Sequence, residues 1–359
     1  MNLPLAARFG GRQARAVGVS LAAVLGSAAV AAVLVATMGL SLADGVAAFA
    51  DGAWGSAYAL GASVNRALAL ALVGLGFIVA QRANLTNVGG EGQIAIGGMV
   101  AAAFALNPHV AALPLGLAFA LPMLAAATAG AAWGALAGFL KARSGTNEVI
   151  STLLLSFIAV WMLYGSVQSP ALLRQPMTSS STLPESLPIP ESTQLPLLGA
   201  DLGLPLHVGL PVGIALALGV AWVLRRSVVG VQLRAIGLNP QAARRAGIRI
   251  TAATVGVMAV AGAFGGLAGA MMLQGEQWVL KAGFSSGYGF DGLVVGLLAR
   301  GSTIGVVAAA MLFGFLRSGG INMEMVAAVP TALVVVMQGL IIVAIAGASV
   351  AFEGRRAVP

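Results

Sequence analysis

The sequence predicts an all-α polytopic membrane protein of about ten transmembrane helices, some of them short or broken. Three observations predict it. Apolar residues make up 59% of the 359 positions while charged ones make up 8%, and mean hydropathy is +0.96. A soluble domain carries about 25% charged residues, so this chain cannot clothe a water-facing surface. The charges that exist are also spaced, leaving uncharged stretches long enough for the roughly 20 residues that span a bilayer.

Taken in order, those stretches run Arg15–Asp44, Arg66–Arg82, Glu91–Lys141, Glu148–Arg174, Asp201–Arg225, Arg249–Glu276, Arg300–Arg317 and Glu324–Glu353. Glu91–Lys141 has room for two helices, broken at the turn-favouring Asn107-Pro108-His109. That makes nine spans. The short segment Asp291–Ala299 makes a tenth, though it cannot cross unaided. The first stretch follows Arg8, Arg12 and Arg15 like a signal peptide. Its length exceeds an h-region of about 7–15 residues, so we expect a retained helix.

Cytoplasmic loops of membrane proteins accumulate Arg and Lys. With both termini in the cytoplasm, 15 of the 19 basic residues fall inside, and only Arg66, Arg174, Lys281 and Arg317 fall outside. The net charge of +8 is thereby explained by orientation, with no nucleic-acid partner needed. The whole of 1–359 reads as one transmembrane domain with two long loops. Residues 168–207 are Pro-rich and outside, an expected ordered cap; 225–250 are inside, where Ala and Arg are interrupted by Gly237, Asn239-Pro240 and Gly247. Asn239-Pro240 should start a short helix there, and Gly247 should end it.

The missing chemistry excludes several classes. There is no cysteine, so disulfides and thiolate sites are out. Two histidines leave no metal site, and no metal is expected; both fall at outer loops, where a solvated surface role is expected. Lys141 and Lys281 are each followed by Ala, so no Walker A lysine exists.

Two polar interruptions point to a path. Glu91 lies in Asn84-Leu-Thr-Asn-Val-Gly-Gly-Glu-Gly-Gln93, and Asp291 in Gly287-Tyr-Gly-Phe-Asp-Gly292. An intramembrane carboxylate costs at least ~2.5 kcal/mol and faces a cavity or a partner. Short glycine-interrupted segments at matching places in two halves indicate an inverted repeat around a central pathway. The bland alternative for Glu91 is a helix cap at an interfacial loop. Pairs such as Gly134/Gly138, Gly262/Gly266, Gly265/Gly269, Gly292/Gly296 and Gly301/Gly305 allow close helix approach.

Four colinear stretches carry a resemblance. They are Asn87-Val-Gly-Gly-Glu91-Gly-Gln93, Gly145-Thr-Asn147-Glu148-Val-Ile-Ser-Thr152-Leu, Leu233-Arg-Ala-Ile-Gly237-Leu-Asn239-Pro240-Gln-Ala242-Ala243-Arg-Arg-Ala-Gly247-Ile, and Tyr288-Gly-Phe-Asp291-Gly-Leu-Val-Val-Gly-Leu-Leu-Ala-Arg300. Together the chain resembles permeases of ABC importers of the branched-chain amino acid/ribose-type group, and within it the nucleoside and simple-sugar permeases. Ser156 stands where the family has Asn, which puts an amide contact there in doubt. Gly301-Ser-Thr303 replaces Asn-Asn-Pro, so that turn should be looser.

The resemblance implies a permease subunit in a bacterial inner membrane that moves nucleosides or simple sugars inward. Its partners would be membrane lipid, ABC ATPase subunits, a second homologous permease and an extracytoplasmic substrate-binding protein. No cofactor is held by the chain itself; ATP is bound and hydrolysed by the partner ATPase. Arg234, Gly237, Asn239, Pro240, Ala242, Ala243 and Gly247 would form the coupling helix, and the 168–207 cap a docking surface. Asn87, Glu91, Gln93, Asn147, Glu148 and Asp291 are the expected pathway residues. Phe77, Phe157, Trp161, Tyr164, Phe284, Tyr288 and Phe290 are available for stacking. No residue is expected to be catalytic. The alternative is an ion-coupled secondary transporter using Glu91 and Asp291.

Overall fold

A computed structural model describes residues 32–114, 116–178, 183–330 and 332–340, with positions 22, 25–27, 29, 30 and 343. Parts of the first and last expected spans, with Arg8, Arg12, Arg15, Arg355 and Arg356, lie outside the described residues. The described chain is almost entirely helical. In order the helices are α1 (Leu42–Trp54), α2 (Ala57–Arg82), α3 (Gly90–Ala105), α4 (Pro108–Ala111), α5 (Leu117–Ser144), α6 (Glu148–Gln168), α7 (Gly209–Arg226), α8 (Val228–Leu238), α9 (Pro240–Arg245), α10 (Ile250–Met272), α11 (Tyr288–Leu298) and α12 (Thr303–Ala327). Two short antiparallel strands, β1 (Leu197–Gly199) and β2 (Leu204–His207), form a hairpin before α7.

Among the described residues, α2, α5, α6, α7, α10 with its continuation to Gln277, and α12 are long and apolar enough to cross a membrane. α3 and α11 are shorter. At 1.5 Å per residue the 11 residues of α11 span about 16 Å, half of a ~30 Å hydrocarbon layer. The fold is thus the expected all-α polytopic one, with its broken elements at Glu91 and Asp291. One boundary differs: α2 begins at Ala57, so Arg66 lies within a helix and not before it. Arg317 likewise lies inside α12. Charge spacing could not show this, because one cation inside a 26-residue apolar helix looks like a flank.

The contacts divide the chain into residues 1–63 with 315–359, and residues 64–314. In the first unit α1 packs on the end of α12. Asn322 donates its Nδ2 to the Ala48 carbonyl, Gly319 meets Phe49, and the Trp54 ring stands near Phe49 and Phe315.

In the second unit α10 lies at the centre, uncharged and buried along much of its length. Its Gly262 and Gly266 meet Gly130 and Gly134 of α5 backbone to backbone, and Gly138 meets Val255. Helices in lipid gain no hydrophobic drive from associating, so dispersion at close approach holds them. Any side chain at these glycines would push the two backbones apart. Gly265 and Gly269 bring α3 against the same helix, at Gln93 and Ile94.

The loop after α6 is ordered where described. Ser186 N–H donates to the Leu280 carbonyl and Leu280 N–H to Ser186 Oγ, while Ile189 N–H donates to the Trp278 carbonyl. Leu195 N–H and the Thr193 carbonyl both bond Gln274, in the π-turn Leu273–Gln277. His207 differs from expectation. It is buried at the end of β2, accepts the Gly209 N–H at Nδ1, and burial pushes its pKa down to about 4. Its ring fills the space left by Gly275, a contact between residues 68 positions apart that sequence spacing does not reveal.

Candidate functional site

The two glycine–carboxylate motifs meet. α2 ends on Asn84, which adopts φ 56° while Leu85 N–H bonds the Ala80 carbonyl and Asn84 N–H the Gln81 carbonyl. This is a Schellman turn with Asn in its left-handed position. It sends the chain back beside α2, so that α3 starts at Gly90 against Val73. Val73 lies nine positions before Arg82, or about 13 Å along the axis. α11 starts at the same level, because Gly292 packs on Val73 and Gly296 on Phe77. Both short helices therefore begin near the middle of the long α2, and each places its N-terminus there.

Glu91 joins them. Its Oε1 accepts the Gly287 N–H and its Oε2 the Gly289 N–H, both at 2.8 Å. Gly287 is the N-cap residue of α11, at φ 80°, and Gly289 is its second helical residue. Amides in a first turn have no partner within their helix and carry the positive end of its dipole. The Glu91 carboxylate, only 7% exposed, satisfies two of them. Gly289 lies against the Glu91 backbone so closely that any side chain there would collide with it.

A second layer holds Glu91. Asn87 Oδ1 accepts the Gly89 N–H and Gln93 Nε2, and Asn87 Nδ2 donates to Gln93 Oε1. These two buried side chains lock the turn that leads into α3. From α6, Thr152 Oγ1 accepts the Val88 N–H at 3.1 Å and Ser156 Oγ the Gly92 N–H at 3.3 Å. The contact in doubt at position 156 is thus made by a hydroxyl, against an α3 backbone that approaches too closely for bulk.

The expected pathway residues fall into two groups. Asn87, Glu91 and Gln93 form one buried cluster, and Asp291 lies half-buried in the first turn that Glu91 caps. Asn147 and Glu148 are elsewhere. Asn147 caps α6 by accepting the Val149 and Ile150 N–H groups, and Glu148 forms an ion pair with Lys141 across the α5–α6 turn. Of the aromatic candidates, Phe77, Phe284 and Tyr288 are buried in helix packing. Phe157, Trp161 and Phe290 are exposed, and Trp161 packs beside Tyr164 in a tilted pair with centroids 5.5 Å apart. Residue order alone does not reveal Thr152, Ser156 and the Gly287/Gly289 amides as partners. The repeated glycines around Tyr288 were the available signal.

The 225–250 loop holds the short helix expected of Asn239-Pro240. α9 opens with Asn239 Oδ1 accepting the Gln241 and Ala242 N–H groups at 3.0 Å. It closes on Gly247 at φ 82°, with Ile248 N–H bonding the Ala243 carbonyl and Gly247 N–H the Arg244 carbonyl. Gln241, Ala242, Arg244 and Arg245 are exposed, and Ala243 is buried. Gly237 departs from expectation. It interrupts nothing but sits inside α8, where its bare Cα meets the Arg82 carbonyl at the end of α2. Close approach, not a break, requires glycine there. Arg234 is exposed on the same helix. The turn expected to be loose at Gly301-Ser-Thr303 is closed, with Gly301 at φ 75° and Ser302 Oγ capping the Gly305 N–H.

A membrane bundle with two half-helices meeting at a buried carboxylate, and a capped basic helix in a loop, defines a transport permease. Over residues 59–346 the chain matches the family described as the permease component of branched-chain amino acid transport systems, and it belongs to that family. It is 33% identical over 345 residues to a guanosine ABC transporter permease of Bacillus subtilis, covering 91% of each chain. It is 32% identical over 339 residues to a glucose ABC transporter permease of Haloferax volcanii, covering 91% of this chain and 86% of that one. A nucleoside ABC transporter permease of Lactococcus lactis is 29% identical over 296 residues, covering 79% of each. No solved structure matches the chain. These relatives support an ABC permease and lend nothing to an ion-coupled transporter.

Proposed function

We propose that the chain is the membrane-spanning subunit of a bacterial inner-membrane importer that carries nucleosides, with simple sugars as the nearest alternative cargo. ATP is bound and hydrolysed by separate ATPase subunits. A second homologous permease completes the path, and an extracytoplasmic binding protein delivers the cargo to the 168–207 cap. Both termini face the cytoplasm, which puts α9 on the ATPase side. The observation that carries this reading is α9 itself. A six-residue helix fixed at both ends by Asn239 and Gly247, exposing Arg244 and Arg245, is a rigid knob for a groove on a partner.

In this reading the Glu91–α11 junction is the constriction of the path. The hydroxyls and ring nitrogens of a nucleoside would pass this polar break in an otherwise apolar bundle. Asn87 and Gln93 hold the junction; Asp291 contributes a second carboxylate to the half-helix it opens. Tighter binding of ATP to the outward-open assembly than to the inward-open one supplies the work. The test is uptake of labelled guanosine by cells carrying the whole assembly. Gly247→Val and Arg234→Glu should abolish uptake and ATPase co-purification while the chain still inserts. Wild-type uptake by both variants would remove α9 as the coupling element.

A further inference from the structure

Behind α8 and α9 lies a groove of about 670 Å3. Leu216 and Val223 of α7 form one wall, Val260 and Phe264 of α10 the other, and Leu233 of α8 the floor. One end is lined by Gly247, Ile248 and Arg249, the link between α9 and α10. Arg225 and Arg226 close α7, and Arg249, which is exposed, precedes α10. Between Asp201 and Glu276 the chain holds six arginines and no carboxylate.

Size and charge decide what fits. A spanning helix, apolar along its length, brings no anion to answer these arginines. A lipid tail is thinner and suits the branched walls. Basic pockets between transmembrane helices on the cytoplasmic side attract anionic head groups.

The geometry points to a phospholipid site: one acyl chain in the α7–α10 groove, with an anionic head group at Arg249, the arginine that lines it. A lipid seated there packs on Leu233 and Ile248, the back of the segment proposed above to dock the ATPase. The placement of the arginines at the inner leaflet rests on the orientation of that proposal, but the binding itself does not.

Native mass spectrometry of the full chain in detergent, with phosphatidylglycerol or phosphatidylcholine added, tests this without transport. The wild type should retain one phosphatidylglycerol through washing and retain phosphatidylcholine less. Arg249→Ala should lower phosphatidylglycerol retention about fivefold, the effect of one arginine near a lipid head group. Gly256→Phe should abolish retention of either lipid, since Gly256 lines the groove and faces open space. Should Gly256→Phe fail to fold, Arg249→Ala, whose side chain is exposed, still gives the answer. The site is overturned if the wild type retains both lipids equally or neither, if Arg249→Ala leaves the preference unchanged, or if a folded Gly256→Phe retains phosphatidylglycerol as the wild type does. These results leave guanosine uptake, and so the function proposed above, to be judged separately.

Discussion

Replacing Glu91 probes the junction directly. Its carboxylate accepts two N–H groups at 2.8 Å at a helix N-terminus, in a site that is 7% exposed. Hydrogen bonds to a charged group contribute about 1.5–3 kcal/mol each, and an orphaned buried donor costs about 1–3 kcal/mol. Glu91→Ala orphans both donors, so the start of α11 should lose roughly 3–5 kcal/mol of local stability. Glu91→Gln keeps one acceptor and turns an amide N–H toward the other donor, a loss of roughly 2 kcal/mol. Hydrogen exchange of the Gly287 and Gly289 amides in micelles reads this on site. Exchange through local opening should accelerate about thirtyfold in Glu91→Gln, since 1.4 kcal/mol is a factor of ten. The amides of α9, in a separate loop, should exchange as in the wild type. Unchanged exchange at Gly287 and Gly289 would refute the capping role, whatever transport does.

Further outcomes follow from other contacts. Gly289→Ala places a methyl against the Glu91 backbone and should abolish uptake in cells where the protein still reaches the membrane, checked by immunoblot. Asn239→Ala removes the cap of α9 and should cost about 1 kcal/mol locally, read as faster exchange over Gln241–Ala243, with reduced ATPase co-purification. Gly134→Leu should separate α5 from α10 and lower the yield of monodisperse protein. His207 gives a pH dependence. Its folded pKa, about 4, lies below the unfolded value near 6.5, so the unfolded chain binds more protons between them. Stability present above about pH 6.5 is then lost as pH falls, by about 2 kcal/mol at pH 5. The melting temperature in detergent should drop from pH 7 to pH 5, and His207→Gln should flatten that drop.

Much of this architecture is legible from residue order because lipid imposes simple rules. Uncharged stretches mark α3, α5, α6, α7, α10 and α11 and much of α2 and α12, and Asn239-Pro240 with Gly247 marks α9, since capping is local. Glu91 and Asp291 were recognisable as anomalies for the same reason: a carboxylate within an apolar run must be compensated. What compensates Glu91 was not legible, because Gly287 and Gly289 lie almost 200 residues away and donate through backbone amides that every residue has. Gly237 and His207 misled in opposite ways. A glycine in a helix reads as a break unless the neighbouring backbone is known, and a histidine in a loop reads as solvated unless its glycine pocket is known. Asn147 and Glu148 lie within one of the four motifs, and the cap and the ion pair their side chains form are local enough to follow from residue order.

Inward transport should depend on the ATPase partner. Guanosine uptake into proteoliposomes holding the chain with its partner permease, ATPase and binding protein tests that most directly. Uptake should require ATP at the face bearing α9 and stop when the ATPase is omitted or its P-loop lysine is replaced. Uptake by the chain without any ATPase, driven by an ion gradient alone, would contradict it.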